Sequence, residues 1–206
     1  PYAAQWDEMM AAGKPAVLKA LKSKDRATRM QALKFATDNQ LTDEEMVKKV
    51  TKSYKGKADN KADIINWIGD NHVPNQEALL AKALKEGGEP ADAAIEAMGK
   101  VASTESIQQR LGLWGTGYTD KALTALRSVN RDIAAPVRAA MKDAQGKKLD
   151  ALLTLAYDRR IHACSTIVLM HCPANETAMH TLPGVVTRAE AYKVAKLLDR
   201  ADAKQA

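Results

Sequence analysis

Apolar residues recur three and four positions apart along most of this chain, the spacing of one helix face. The clearest instance is Ala62–Asp70 (ADIINWIGD), which is echoed thirty residues on in Asp92–Lys100 (DAAIEAMGK). Ile65 falls on Ile95, Ile68 on Met98 and Gly69 on Gly99. Each copy is expected to leave its helix near that glycine. A repeat with one helical hairpin per period implies a stack of helix pairs. No run alternates with the two-residue period of a strand.

The same spacing divides the chain into about a dozen helices with short connections. Residues 1–12 read as a short helix or a frayed end, with Trp6, Met9 and Met10 as its apolar side, broken by Gly13. Pro15 then opens helix 14–23, with Val17, Leu18 and Leu21 inward. Asp25 caps helix 25–38, whose inner face is expected to be Met30, Leu33, Phe35 and Ala36, and Asn39 stops it. Thr42–Glu45 reads as a capping box opening helix 43–54, with Met46, Val47 and Val50 inward. Helix 58–71 carries the first organising segment. Helix 75–86 ends at Gly87–Gly88, and Pro90 opens helix 90–102.

Helices over 104–113, 119–129, 132–144, 147–158 and 159–172 follow, the last stopped by Pro173. A short helix near 176–182 is expected to end before Pro183–Gly184. Thr187–Glu190 is a second capping box, opening a final amphipathic helix with Ala191, Tyr192, Ala195, Leu197 and Leu198. The polar ending, Arg200–Ala206, is expected to fray.

The fold class is therefore all-α, and the expected architecture is an α-solenoid (an alpha-alpha superhelix) of roughly five to seven stacked antiparallel helix hairpins. Residues 1–206 read as one such domain, either excised from or processed out of a longer chain. Four stretches resemble HEAT repeats of the short bacterial type: Arg29–Ala36 (RMQALKFA), Ala62–Asp70, Asp92–Lys100 and Thr187–Leu198 (TRAEAYKVAKLL). In that family the second helix of each repeat often runs acid, apolar, Arg, two residues, Ala, Leu, then Gly. Asp25, Arg29, Ala32 and Leu33 approximate the pattern. The later copies lack the Arg and keep the Gly. The resemblance implies a scaffold with a concave binding face and no particular activity, or an accessory domain of a larger bacterial enzyme. The tetratricopeptide pattern is not supplied by Trp67–Ile68–Gly69. The paired aromatics and groove Asp of HEAT-like alkylpurine DNA glycosylases have no counterpart either.

Composition changes this picture little; charge changes it more. Aromatics make up 4% of the chain, with Phe35 the single Phe, so small residues must let helices pack closely. No apolar run is long enough to span a bilayer, so no membrane partner is expected; the compartment stays open. Net charge is +6. Residues 1–61 hold 13 Lys/Arg against 8 Asp/Glu, residues 62–115 hold 4 against 8, and residues 116–206 hold 14 against 9. Two basic ends thus flank an acidic middle, unlike a continuous groove for a phosphate backbone.

Candidate chemistry is sparse. Cys164, Cys172, His162, His171 and His180 lie close in sequence, but their spacing is not that of a zinc site. Ile161, Cys164, Val168 and His171 share a helix face that reads as core. No metal and no cofactor are expected. The loop Leu113–Thr119 is Gly-rich but has neither phosphate-loop nor dinucleotide spacing. It reads as a hairpin turn with Thr119 as the helix cap. Trp114 and Tyr118 on that loop either anchor a partner or plug their own hairpin. Trp67 reads as core. Asp63 and Asn66 lie on the opposite side of that helix and could line a concave face. Lys48, Lys49, Lys52 and Lys55 form the outer side of their helix, and the Lys run at 48–61 to which they belong reads as a solvated face or a contact for an acidic partner.

No nucleophile turn, carboxylate pair or metal set emerges, so an enzyme is not expected. The first functional expectation is a non-catalytic scaffold that binds a protein, or another domain of the same polypeptide, through a concave face. The alternative is binding of nucleic acid or another polyanion through the basic ends.

Overall fold

A computed structural model describes the backbone of residues 2–205 and the side chains of residues 11–197 and of Asp199. The expectations placed on the side chains of Trp6, Met9, Met10, Leu198 and Arg200–Ala206 lie outside the described residues. The fold is all-α: no strand occurs among the described residues, and no helix there is long and apolar enough to cross a membrane. The chain forms two compact units, Pro1–Ser106 and Ile107–Ala206.

The first unit contains α1 (Tyr2–Ala20), α2 (Arg26–Asp38), α3 (Glu44–Lys52), α4 (Ala58–Asp70), α5 (Glu77–Glu86) and α6 (Gly88–Val101). Helix α1 packs on α2, α5 on α6, and α4 lies against both α2 and α6. Its core is aliphatic: Leu33, Met46, Val50, Ile64, Ile65, Ile68, Leu80 and Met98 are buried, with Trp67 among them. Each such side chain contributes about 1.5–3 kcal/mol by leaving water.

Helix α1 runs through Gly13 and Pro15, where two helices were expected. An interior glycine costs a helix only about 1 kcal/mol, and here packing offsets it. A Cβ on Gly13 would stand 3.0 Å from Cε1 of the Phe35 ring, so the glycine makes room for α2 instead of ending α1. The inner face of α2 is Arg29, Ala32, Leu33 and Ala36. Met30 and Phe35, expected inside, are 47% and 38% exposed. The cap of α3 is Asp43, whose carboxylate accepts from the Met46 N–H at 3.1 Å. Thr42 does not cap it, and Glu45 pairs instead with Lys14 and Lys49.

The second unit contains α7 (Thr104–Leu111, beginning in the first unit), α8 (Thr119–Ser128), α9 (Ala134–Lys142), α10 (Gly146–Asp158), α11 (Ser165–His171), α12 (Glu176–Val185) and α13 (Ala191–Gln205). Helix α10 packs on α8, α9 and α12, and α11 on α12. The expected helix 159–172 is shorter: α10 closes at Arg159 and a 3-10 turn at His162–Cys164 leads into α11. Helix α12 continues through Pro183–Gly184 to Val185. Gly184 lies against Tyr157 of α10, where a Cβ would come 3.2 Å from the Tyr157 Cα. The Thr187–Glu190 capping box is present and opens a 3-10 turn that runs into α13.

Three helices, α2, α4 and α10, end alike. Gln40, His72 and Arg160 take positive φ of 54°, 49° and 49°. The next N–H in each case, of Leu41, Val73 and Ile161, donates back to Ala36, Ile68 and Ala156 at 2.8, 3.0 and 2.9 Å. This is a Schellman ending made without glycine, each closed by a buried apolar residue.

Candidate anion-binding basin

The turns α1–α2 and α3–α4 border an open basin of about 1100 Å³ in the first unit. Both turns are built the same way. Lys22–Ser23–Lys24 follows α1, and Lys52–Ser53 recurs thirty residues on at the end of α3, followed by Lys55, Gly56 and Lys57. Each turn is pinned by a side chain from the helix that follows it. Arg29 of α2 donates through Nη1 to the Ser23 and Lys24 carbonyls, both at 3.0 Å. Asn60 of α4 donates through Nδ2 to the Ser53 and Lys55 carbonyls at 2.9 and 2.8 Å. Arg29 is buried while doing so.

The basin is lined by Lys22, Lys24, Lys49, Lys52, Lys55 and Lys57. Arg26 and Arg29 also line it, and the one carboxylate among the described lining residues is Asp59. The two arginines are locally compensated. Arg26 grips Asp63 with a fork, Nε–Oδ2 3.0 Å and Nη2–Oδ1 2.9 Å, and Asp63 raises the guanidinium above its ordinary range. Asp59 stands 3.9 Å from Arg26 Nε and 3.7 Å from Arg29 Nη2. Lys49 pairs with Glu45 at 2.7 Å; Lys14, then Lys49, holds the Glu45 carboxyl down at about 2. Lys22, Lys24, Lys52, Lys55 and Lys57 form no ion pair among the described residues.

Helix α4 starts on this basin at Lys57, with no side-chain cap. The first N–H groups of a helix carry its positive end, which favours an anion. Gly56, at φ +79°, has open space around its α-carbon. The α2 start differs, because Asp25 caps it and accepts from the Thr28 N–H at 2.8 Å.

The residues singled out in the sequence fall in different places. Lys49 and Lys52 line the basin, whereas Lys48 is exposed on α3 outside it. Asp63 is buried and committed to Arg26. Asn66 is half-buried in a shallow groove of about 260 Å³ between α2 and α4, beside Trp67. The Trp67 indole is buried as expected, and its N–H has no acceptor among the described residues.

Trp114 and Tyr118 are half-buried. Trp114 stands beside Ala122 and Leu123 of α8 and Leu152 of α10. The loop before α8 uses its N–H groups internally: Gly115 donates to Thr119 Oγ1 at 3.1 Å and Tyr118 to Thr116 Oγ1 at 3.2 Å. Thr119 is thus the first residue of α8 and a tie within the loop, not its cap.

Cys164 and Cys172 are free thiols, both buried, and burial pushes the Cys164 thiol up to about 11. No group of three or more His, Cys, Asp or Glu able to hold a metal occurs among the described residues.

Comparison with protein-family models, curated proteins and solved structures returned no match. The basin therefore has to be read from its own chemistry. Its sequence signal was the recurring Lys-Ser pair in two helix-to-helix turns. Lys55 and Lys57 fall within the Lys run at 48–61, whereas Lys22 and Lys24 stand in a turn between helices, where no helix face marks them.

Proposed function

We propose that this chain is a non-catalytic helical-repeat binding module of HEAT-like hairpins whose ligand is anionic and sits in the basin of the first unit. The observation that carries the reading is the inventory of that basin: five lysines without a carboxylate partner among the described residues, on two turns held in place by Arg29 and Asn60. Pinning distinguishes such a surface from an ordinary solvated lysine face, because less ordering remains to be done on binding. The inventory suits binding better than catalysis. Its one carboxylate, Asp59, lies against two guanidiniums and is poorly placed to act as a general base.

The repeat part of the proposal rests on order within each unit. Helices α2 and α4 both have 13 residues and start 32 positions apart. Both end in an Asn whose side chain donates to the carbonyl four residues back, at 2.8 Å from Asn39 and 2.8 Å from Asn71. In the first unit α2, α4 and α6 pack in succession, and in the second α8, α10 and α12 do so. That succession is what a stack of hairpins requires, and it supports the α-solenoid reading. The concave-face protein scaffold is less favoured, since Asp63 is occupied by Arg26 and Trp114 packs within its own unit.

Retention on a heparin support tests the reading. Wild-type protein is expected to bind at low salt and to elute early as salt rises. Lys55→Glu/Lys57→Glu should lose retention with an unchanged melting midpoint. Lys142→Glu/Lys147→Glu in the second unit, a control of equal charge change, should retain it. Equal losses in both variants would refer binding to net charge and overturn the basin.

A further inference from the structure

We propose that the basin is specific for a compact cluster of phosphate groups, a polyphosphate chain or a multiply phosphorylated small polyol, and not for a nucleic-acid strand. This rests on the anion-binding reading above and narrows it to a ligand class.

Three features separate the two classes. Among the described residues the basin lining contains no Trp, Tyr, Phe or His, so they offer no platform on which a base could stack, and stacking is a principal source of single-strand affinity. The one side-chain amide in the lining, Asn60, already uses its N–H donors on the Ser53 and Lys55 carbonyls, so it offers no N–H to a base edge. A strand also needs a positive track along its backbone, whereas residues 62–115 of the chain carry 8 acidic against 4 basic residues. Within residues 1–61, eight of the 13 Lys/Arg line the basin.

What the basin does offer matches clustered phosphates. Lysine ammonium groups are compact charges on flexible stems, with three donors each and no fixed fork. They can close around oxyanions whose spacing varies, where a bidentate arginine would impose one geometry. The two arginines of the lining are committed, Arg29 to the α1–α2 turn and Arg26 to Asp63. They serve as framework, and the lysines supply the contacts. Helix α4 also starts at this basin, at Lys57 and without a side-chain cap, although Asp59 Oδ1 accepts from the Asn60 N–H at 2.7 Å; the positive end of a helix favours phosphate.

The test is calorimetric titration of the full chain with inositol hexakisphosphate, with tripolyphosphate and with a 15-nucleotide oligothymidylate, all at one near-physiological salt concentration. The hexakisphosphate is expected to bind one per chain and at least tenfold more tightly than the oligonucleotide. Lys55→Glu/Lys57→Glu should weaken it at least tenfold. Asn60→Ala, which removes no charge but frees the α3–α4 turn, should weaken it severalfold; circular dichroism checks that this variant folds.

Equal or tighter binding of the oligonucleotide would overturn the phosphate-cluster inference and leave the anion-binding reading standing. Failure of all three probes, or binding indifferent to Lys55→Glu/Lys57→Glu, would overturn both. Cosedimentation with vesicles containing phosphatidylinositol bisphosphate, with and without soluble hexakisphosphate as competitor, separates the two sources of the cluster. Competed binding supports a membrane-borne cluster held by the same basin. No vesicle binding, beside tight hexakisphosphate binding, supports a free one.

Discussion

Gly69 of α4 and Ala97 of α6 approach so closely that no side chain fits between them. A Cβ on Gly69 would stand 2.8 Å from the Ala97 Cα and 2.9 Å from its Cβ. The obstacle is helix backbone, which cannot swing aside as a flexible side chain would. Gly69→Ala gains about 1 kcal/mol of helix propensity but incurs an overpacking cost of about 1–3 kcal/mol. With a backbone atom at this distance the larger figure applies, so a net loss of about 1–2 kcal/mol is expected in urea denaturation. Adding Ala97→Gly should recover part of it by removing the second contact. A single variant as stable as wild type would show that α4 and α6 can separate freely.

That contact marks how far the sequence could be read. The period that pairs Ala62–Asp70 with Asp92–Lys100 is real in the sense that α4 and α6 are packed neighbours. Gly69 stands one residue before the end of α4, near the exit as expected, and what the sequence did not announce is its close approach to Ala97. Gly13 and Gly184 were expected to end helices, and both instead lie inside helices at places where another element comes close. A glycine inside a helix costs little enough that packing decides its role, and packing is not local in sequence. The true exits at Gln40, His72 and Arg160 carry no glycine to announce them. The basin was half legible. Lys49 and Lys52 stood out on an amphipathic helix, but the basin forms only when two turns about thirty residues apart come together.

Gln40 holds a left-handed backbone at φ 54° with an exposed side chain. A non-glycine residue there bears roughly 1–2 kcal/mol of steric cost, part of which glycine would return as unfolded-state entropy, about 0.5–1 kcal/mol. Gln40→Gly is therefore expected to stabilise the protein by up to about 1 kcal/mol, seen as a higher urea midpoint with an unchanged slope. A lower midpoint would mean that the Gln40 side chain contributes to the ending of α2.

Glu190 predicts a distinct acid response. Its carboxylate accepts from the Thr187 N–H at 3.3 Å and the Ser165 hydroxyl at 3.0 Å and pairs with Lys193 at 3.2 Å. Those partners, the Thr187 N–H first, lower its pKa from 4.5 to about 2. A depressed folded-state pKa means that the native state releases this proton more readily than the unfolded chain. The stabilisation is thus fully present above about pH 4.5 and is lost as pH falls towards 2. Glu190→Gln should be less stable than wild type at neutral pH, and the gap should close on acidification over that window. A gap that stays constant between pH 5 and pH 2.5 would show that the carboxylate charge has no part in the cap.

Asp63, which could line a concave face by its place on α4, grips a guanidinium that borders the basin. Its carboxylate side chain is 5% exposed, whereas the Arg26 side chain it grips is 51% exposed. The pair therefore neutralises a guanidinium that borders the basin. Asp63→Asn keeps the shape and removes the counter-charge. Two opposite effects are expected. Stability should fall by about 1–3 kcal/mol, because a buried, charge-assisted bond becomes a weaker neutral one. Affinity for inositol hexakisphosphate should rise about two- to fivefold, as befits one partly exposed charge worth up to about 1 kcal/mol. Calorimetry and urea denaturation of the same preparation read both. If affinity falls along with stability, Asp63 acts by holding Arg26 in position for the ligand, and the guanidinium is a contact in its own right. If stability falls and affinity does not move, Arg26 lies beyond the reach of the bound anion, and the lysines of the two turns must hold it alone.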